Sequence, residues 1–176
     1  MRGCMRIANP CPVRGFTLME ILVVVVIFAV LAGAVTLAVG GVGGERQLGR
    51  QAEKVRALFG YACEQAELSG RDLGITLDTH GYRFSVAAGN DWIAAQANEL
   101  RPRQWLAGTA PTLSRDDQSI AVVEKAPDKP QLVCFSSGEL TPFRLELALA
   151  DLSKRYRIDG QPDGDIKLST AESRVR

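Results

Sequence analysis

The stretch that decides the fold of this chain lies near its N-terminus, where residues 14–44 read RGFTLMEILVVVVIFAVLAGAVTLAVGGVGG. From residue 21 to residue 44 it contains no charged side chain, which makes an apolar run of 24 residues. As an α-helix, a run of that length spans about 36 Å, whereas the hydrocarbon core of a bilayer is about 30 Å thick. The sequence therefore predicts a transmembrane helix within residues 16–44.

The charges on either side of the apolar run predict which end of the chain crosses the membrane. Arg2, Arg6 and Arg14 precede the run, and no acidic residue lies among them. Because basic flanks stay cytoplasmic, we expect a single-pass inner-membrane protein with its N-terminus in the cytoplasm and its C-terminal domain in the periplasm. Residues 45–176 hold eighteen basic and nineteen acidic residues, a formal charge of −1, which does not indicate a nucleic-acid-binding surface.

The segment RGFTLME at residues 14–20, followed by the aliphatic run, resembles the class III leader of type IV pilins and type II secretion pseudopilins. The resemblance implies that prepilin peptidase removes residues 1–15 as a basic leader peptide. The cut would fall between Gly15 and Phe16, and the new amine of Phe16 would be methylated. Glu20 would then pair with the amine of a neighbouring subunit during filament assembly.

An ordinary secretory signal peptide is an alternative interpretation of the same segment. Ala32-Gly33-Ala34 satisfies the small-x-small pattern cut by signal peptidase, and release after Ala34 would yield a soluble periplasmic binding protein. Two observations disfavour this alternative: the apolar run continues through Val42, and the carboxylate of Glu20 is unusual beside an apolar signal region.

Beyond the run, the chain is expected to form an amphipathic helix over residues 45–70. Before this helix, four glycines within residues 40–44 predict a flexible joint or a local unwinding of the helix. Apolar side chains then recur at spacings of three and four residues, which predicts a buried stripe that packs on a sheet rather than in a coiled coil; they are Leu48, Ala52, Val55, Phe59, Ala62 and Ala66. Ser69-Gly70 is a stop signal for this helix.

Residues 71–176 are expected to form a periplasmic β domain, so the predicted fold class is α+β: a long N-terminal helix packed on a C-terminal antiparallel β-sandwich-like domain. Asp78-Thr79-His80-Gly81 predicts a hairpin turn. Residues 87–119 are interpreted as a long stretch without strands, anchored by Trp92 and Trp105. Strands are predicted at residues 73–77, 82–86, 120–123, 132–135, 143–149, 155–158 and 166–168.

Two cysteines, Cys63 and Cys134, remain if the leader is removed. An oxidising compartment would permit a disulfide between them. The sequence also allows them to be buried free thiols, because it does not bring the two residues together.

Short segments of the C-terminal half refine the resemblance. GRDLG at 70–74, YRF at 82–84, RQW at 103–105 and FSSGELTPF at 135–143 are similar to those of the GspH (XcpU) family, the minor pseudopilins of type II secretion. The resemblance implies a place at or near the tip of a periplasmic pseudopilus that supports export of folded proteins across the outer membrane. The implied partners are the major pseudopilin, other minor pseudopilins, prepilin peptidase and the inner-membrane secretion platform, with no cofactor and no nucleic acid.

No residue pattern indicates an enzyme. His80 is the only histidine and lies in the expected turn, so neither a catalytic set nor a histidine metal cluster is predicted. Asp159, Asp163 and Asp165 could offer oxygen ligands to calcium, but their spacing favours a hairpin turn. A FimT-like minor type IV pilin, acting in pilus assembly or DNA uptake through Arg174 and Arg176, stays open as a rival. Two further arginines, at positions 83 and 103, are candidate interface charges.

Overall fold

The computed structural model describes the backbone of residues 18–150 and 152–172, and their side chains except those of residues 32–42 and 172. The chain divides into two compact units, Met1–Val39 and Gly40–Arg176. Four residues with a predicted role lie outside the described residues. They are the processing residues Gly15 and Phe16 and the C-terminal arginines Arg174 and Arg176.

Helix α1, Leu18–Ser69, is 52 residues long and contributes to both units. In the first unit, the side chains of residues 18–31 are all exposed. Among the described residues, no helix is both long and apolar enough to cross a membrane. The backbone of residues 40–44 is helical, so the expected local unwinding at the four glycines is wrong. Each glycine destabilises a helix by only about 1 kcal/mol relative to alanine, and the backbone hydrogen bonds along the helix offset that loss.

In the second unit, α1 forms the centre of the core. All six residues of the predicted stripe are fully buried, which confirms the stripe. The ring of Phe59 makes edge contacts with rings from two different sheets, at centroid distances of 5.6 Å to Tyr82, 6.0 Å to Phe84 and 5.9 Å to Phe143. The stripe therefore packs on sheets of its own chain, as predicted.

The C-terminal end of α1 is also where the sequence places it. Gly70 has a φ of 63°, in the left-handed region that glycine adopts without steric cost. Its N–H donates to the carbonyl of Glu67 (3.3 Å), and the N–H of Arg71 donates to the carbonyl of Ala66 (3.2 Å). This pair of bonds is a Schellman motif, which satisfies two carbonyls at the end of the helix.

The strands form two antiparallel five-stranded sheets. The first has the order β3-β2-β1-β7, with β4 also paired to β2, and its strands are β1 (Leu73–Leu77), β2 (Gly81–Ala88), β3 (Asp91–Ala94), β4 (Arg103–Gln104) and β7 (Leu132–Cys134). The second has the order β10-β9-β8-β5-β6, and its strands are β5 (Thr109–Arg115), β6 (Gln118–Ile120), β8 (Phe143–Leu149), β9 (Lys154–Gly160) and β10 (Ile166–Glu172). A short 3-10 helix covers Asn98–Leu100.

The structure corrects the prediction for the middle of the domain. Residues 87–119, interpreted as a stretch without strands, contain β3, β4 and β5 and the start of β6. The strand predicted at residues 120–123 is instead β6, Gln118–Ile120. The sequence of β5, TAPTLSR, has only one fully buried side chain, Leu113, so alternation of apolar and polar residues does not reveal it. A left-handed Asp116-Asp117 turn joins β5 to β6.

One continuous hydrophobic core joins α1 to both sheets. Each sheet turns one face to it: in β8, for example, Phe143, Leu145 and Leu147 are buried and the residues between them are not. Trp105 is buried as predicted, whereas Trp92 is half-buried and lies in β3. The α+β fold class, with a long N-terminal helix on antiparallel sheets, is confirmed.

Candidate functional site

Glu20 is the one residue of the predicted processing and assembly site that the structure describes. It lies in the first turn of α1, where a carboxylate interacts favourably with the positive end of the helix dipole. The apolar side chains around it in sequence, including Leu18, Met19 and Ile21, are exposed. The N-terminal surface of α1 is therefore apolar with a single carboxylate, which suits packing in lipid or against another helix.

The structure joins Cys63 of α1 to Cys134 of β7 by a disulfide, with a Cα–Cα distance of 4.8 Å and a sequence separation of 71. Both residues are buried. β7 is an edge strand of the first sheet, where it pairs with β1. The disulfide therefore fixes α1 to this edge strand. It connects two elements that are far apart in the sequence.

Replacing both Cys63 and Cys134 with alanine is expected to lower the free energy of unfolding by about 4 kcal/mol, the chain-entropy value for closing a loop of about 71 residues. Equilibrium denaturation of the mature chain in detergent, with and without the double substitution, measures the loss. Thiol labelling under denaturing conditions provides the control, because wild-type mature protein should expose no reactive thiol. Two free thiols in protein from the native periplasm would contradict the bond.

The turn between β1 and β2 has a structural role. The Asp78 carboxylate accepts hydrogen bonds from the N–H groups of His80 (2.7 Å) and Gly81 (2.8 Å), and the Trp105 indole donates to the Asp78 carbonyl (2.8 Å). A Cβ on Gly81 would lie 1.9 Å from the carbonyl oxygen of Arg103, so only glycine permits this approach of β4. The predicted hairpin is confirmed, and His80 is exposed within it.

Tyr82, beside this turn, has a strongly perturbed hydroxyl. Its ring lies 4.9 Å from that of Trp105 and 5.6 Å from that of Phe59, in the core. Burial raises the pKa of Tyr82 to about 12, and the positive charge of Arg103 opposes part of that rise. The phenol is therefore neutral over the whole physiological pH range.

Replacing Tyr82 with phenylalanine is expected to reduce the loss of stability in alkali. The unfolded tyrosine has a pKa of about 10, and the folded one about 12, so between these values the unfolded chain loses the proton first. The stability that the buried, protonated Tyr82 contributes below pH 10 is therefore lost as the pH rises from 10 to about 12. The wild type should lose about 1.4 kcal/mol more than the variant between pH 7 and pH 11. Urea unfolding at both pH values tests this, and equal losses would contradict it.

The three aspartates considered as calcium ligands are engaged in local contacts. Asp159 lies in β9 and accepts a hydrogen bond from Arg144 Nε (2.9 Å), which raises the pKa of that arginine. Asp163 accepts the backbone N–H of Asp165 (3.2 Å), and the Asp165 carboxylate lies 3.1 Å from Lys167 Nζ. β9 and β10 pair in register around this segment, which confirms the hairpin. Within residues 18–150 and 152–172, no group of three metal-binding side chains occurs.

The segment FSSGELTPF owes its conformation to turn chemistry beside the disulfide. Gly138 has a φ of 91°, and the N–H of Phe135 donates to the carbonyl of Glu139 (2.8 Å). The N–H of Ser136 donates to the Asp72 carboxylate (2.8 Å), which ties the turn to the end of the helix. These contacts explain the residue types without an external ligand.

The two candidate interface arginines have different surroundings. Arg83 is exposed and donates to the carbonyl of Pro127 (3.0 Å). Arg103 is half-buried: its Nη2 donates to the carbonyl of Glu99 (3.2 Å), and its Nε is buried with no hydrogen-bond partner in the part of the chain that the structure describes. Sequence reasoning grouped the two together, because nothing in the sequence shows that β4 lies against α1.

Comparison with known proteins identifies the class first. Residues 12–36 match the prokaryotic N-terminal methylation motif, and the domain resembles the solved minor pseudopilin EpsH of the type 2 secretion system of Vibrio cholerae. That likeness has a TM-score of 0.59 at 23% identity and covers 70% of this chain and 96% of the other. A methylation motif followed by a helix that enters such a domain defines a pilin-like protein.

The comparisons also show the family to which this chain belongs. Residues 51–164, more than half of the chain, match the family described as Type II transport protein GspH, and the chain belongs to that family. It is 35% identical over 146 residues to type II secretion system protein H of Pseudomonas aeruginosa, covering 77% of this chain and 83% of the relative. The corresponding protein of Aeromonas hydrophila is 33% identical over 154 residues, with coverages of 81% and 84%.

Proposed function

We propose that this chain acts as a minor pseudopilin of a type II secretion system, matured by cleavage after Gly15 and incorporated at or near the pseudopilus tip. There it supports the export of folded proteins across the outer membrane. The observation that carries the proposal is the presence, in one chain, of the methylation motif at residues 12–36 and the GspH-type domain at residues 51–164.

Maturation is proposed to precede assembly. Gly15 imposes no side chain on a protease cleft, and the cut releases the three leader arginines from the subunit. The new amine of Phe16 is methylated and remains cationic at neutral pH. It lies four residues before Glu20, so each mature subunit carries one positive and one negative group near the start of its helix.

Glu20 is proposed to set the axial position of each subunit. A charged group in a bilayer costs about 2.5 to 3.5 kcal/mol near the centre, and an opposite charge reduces that cost. The amine of the neighbouring subunit supplies such a charge as the helix leaves the lipid. Only a subunit placed at the right height brings the two groups together, so the charge pair selects the register.

The proposed location is the inner membrane before assembly and the periplasmic pseudopilus afterwards. The basic leader favours a cytoplasmic N-terminus. The Cys63–Cys134 disulfide supports a periplasmic C-terminal domain, because such bonds persist in oxidising compartments. The work of extraction from the membrane comes from other components, since the chain contains no phosphate-binding loop.

The proposed partners are the major pseudopilin, the other minor pseudopilins, prepilin peptidase and the membrane platform. Interaction with pseudopilins follows from membership of the family. We assign the chain a structural role in this assembly and no catalytic one.

Deletion of the gene tests the function. We expect the deletion strain to accumulate secreted enzymes in the periplasm while twitching and DNA uptake remain normal, and the full-length gene should restore export. Loss of twitching or DNA uptake with normal export would instead support a FimT-like pilin. Unchanged behaviour in both assays would refute a role in either filament.

A further inference from the structure

A groove with a volume of about 420 Å³ lies between α1 and β4. The helix contributes Arg50, Gln51 and Lys54 to its wall, and β4 contributes Arg103 and Gln104. Arg50 and Lys54 are four residues apart and therefore lie on the same face of the helix. The groove thus brings together cations from two elements that are about fifty residues apart in the sequence.

None of the described residues that line the groove is acidic. None of the ion pairs formed within the described parts of the chain involves Arg50, Lys54 or Arg103. This concentration of one sign contrasts with the chain as a whole, whose formal charge is only +1. The groove is therefore a local positive site on a nearly neutral molecule.

Arg103 is the donor that most needs an acceptor. Its Nη2 uses the carbonyl of Glu99, while Nε is the one buried side-chain nitrogen or oxygen without a hydrogen-bond partner among the described residues. A buried donor left without an acceptor costs about 1 to 3 kcal/mol, and more when it carries charge. An acceptor that bonds Nε itself would recover that free energy.

The walls around Arg103 are held in place before any partner arrives. The Gln51 amide donates to the carbonyl of Gln104 (3.4 Å) and accepts from the hydroxyl of Thr109 (3.3 Å), which ties α1 to β4 and β5. Tyr82 and Trp105 provide aromatic surface beside the cations. The groove thus offers cationic donors next to an apolar wall, the pairing that an acidic side chain with its methylene stem requires.

We propose that this groove binds an aspartate or glutamate side chain of a neighbouring pseudopilin, with Arg103 as the central donor and Arg50 and Lys54 as flanking charges. The choice of a pseudopilin as the partner rests on the proposed function. A guanidinium binds a carboxylate through two parallel hydrogen bonds, so the interaction fixes orientation as well as charge. Three cations in one narrow groove are too few for a nucleic-acid surface on a nearly neutral chain.

The test places a photo-crosslinking amino acid at the exposed position 104 of the full-length chain in a host with a complete secretion system. Illumination should give an adduct with another pseudopilin, and mass spectrometry should map it within a few residues of an aspartate or glutamate. We expect Lys54→Gln and Arg103→Gln each to reduce the yield about ten-fold. Arg83→Gln is the matched control, because that arginine lies outside this groove, and its yield should be unchanged.

A charge reversal at one position decides the question. Lys54→Glu places a carboxylate in the groove and should abolish the adduct, whereas Lys54→Arg keeps the positive charge and should retain it. Lys54 is exposed on the helix, so both variants leave the fold intact. No adduct, an adduct insensitive to both Lys54 and Arg103, or one with a second copy of this chain or nucleic acid would overturn the proposal. If these occur while export still depends on the chain, the groove inference alone fails.

Discussion

Replacing Gly15 with valine is expected to leave the chain uncut, so that the protein in the membrane retains residues 1–15 and no methylated Phe16 forms. The reason is steric and local: a β-branched side chain is bulky and stiff at the position where the leader motif provides none. Intact mass and N-terminal sequencing of protein purified from the native host measure the result. Because the uncut chain lacks the free Phe16 amine, export should fall to the level of the deletion strain.

A second substitution separates this result from cleavage by signal peptidase. Ala34→Leu removes the small residue that signal peptidase needs, yet it should leave cleavage after Gly15 unchanged. A mature chain that begins at Val35, or a Gly15→Val chain that still begins at Phe16, would show that the leader is not processed as proposed.

Replacing Glu20 with glutamine is expected to permit normal leader cleavage but to reduce export and recovery in the pseudopilus at least about ten-fold. Glutamine keeps the size and polarity of the side chain and removes only its charge. The ammonium of the neighbouring subunit then enters an apolar surrounding without its counter-ion, and a loss of about 1.4 kcal/mol is enough for a ten-fold change. Co-purification with the major pseudopilin and assays of exoprotein release measure the effect.

Glu20→Asp is the matched control for the charge. It keeps the carboxylate on a shorter stem, so assembly should be retained in part, between the values for wild type and Glu20→Gln. N-terminal sequencing of all three proteins must show the same start at Phe16, which separates an assembly defect from a maturation defect. Wild-type incorporation and export by the glutamine variant would show that the charge pair does not set the register.

The helical half of the fold could be predicted because its signals are local. The period of Leu48, Ala52, Val55 and Phe59 reports which helix face is buried, and all four are buried. The strands β1, β2 and β8 could be predicted for the same reason, since runs of apolar or alternating residues mark them. β3 and β5 could not, because their side chains are mostly exposed or half-buried and their stability comes from pairing with β2 and β8.

By itself, the sequence determined the features that depend on neighbouring residues: the leader motif, the apolar run, the buried stripe, the hairpin turns and the likeness to a pseudopilin. Only the tertiary structure decided which distant residues meet. It joins Cys63 to Cys134 across 71 positions, and it brings Arg103, whose Nε has no hydrogen-bond partner among the described residues, to a groove beside Arg50 and Lys54. The physical reason is that local patterns fix backbone conformation and the buried face, whereas contacts between distant residues depend on how those faces pack.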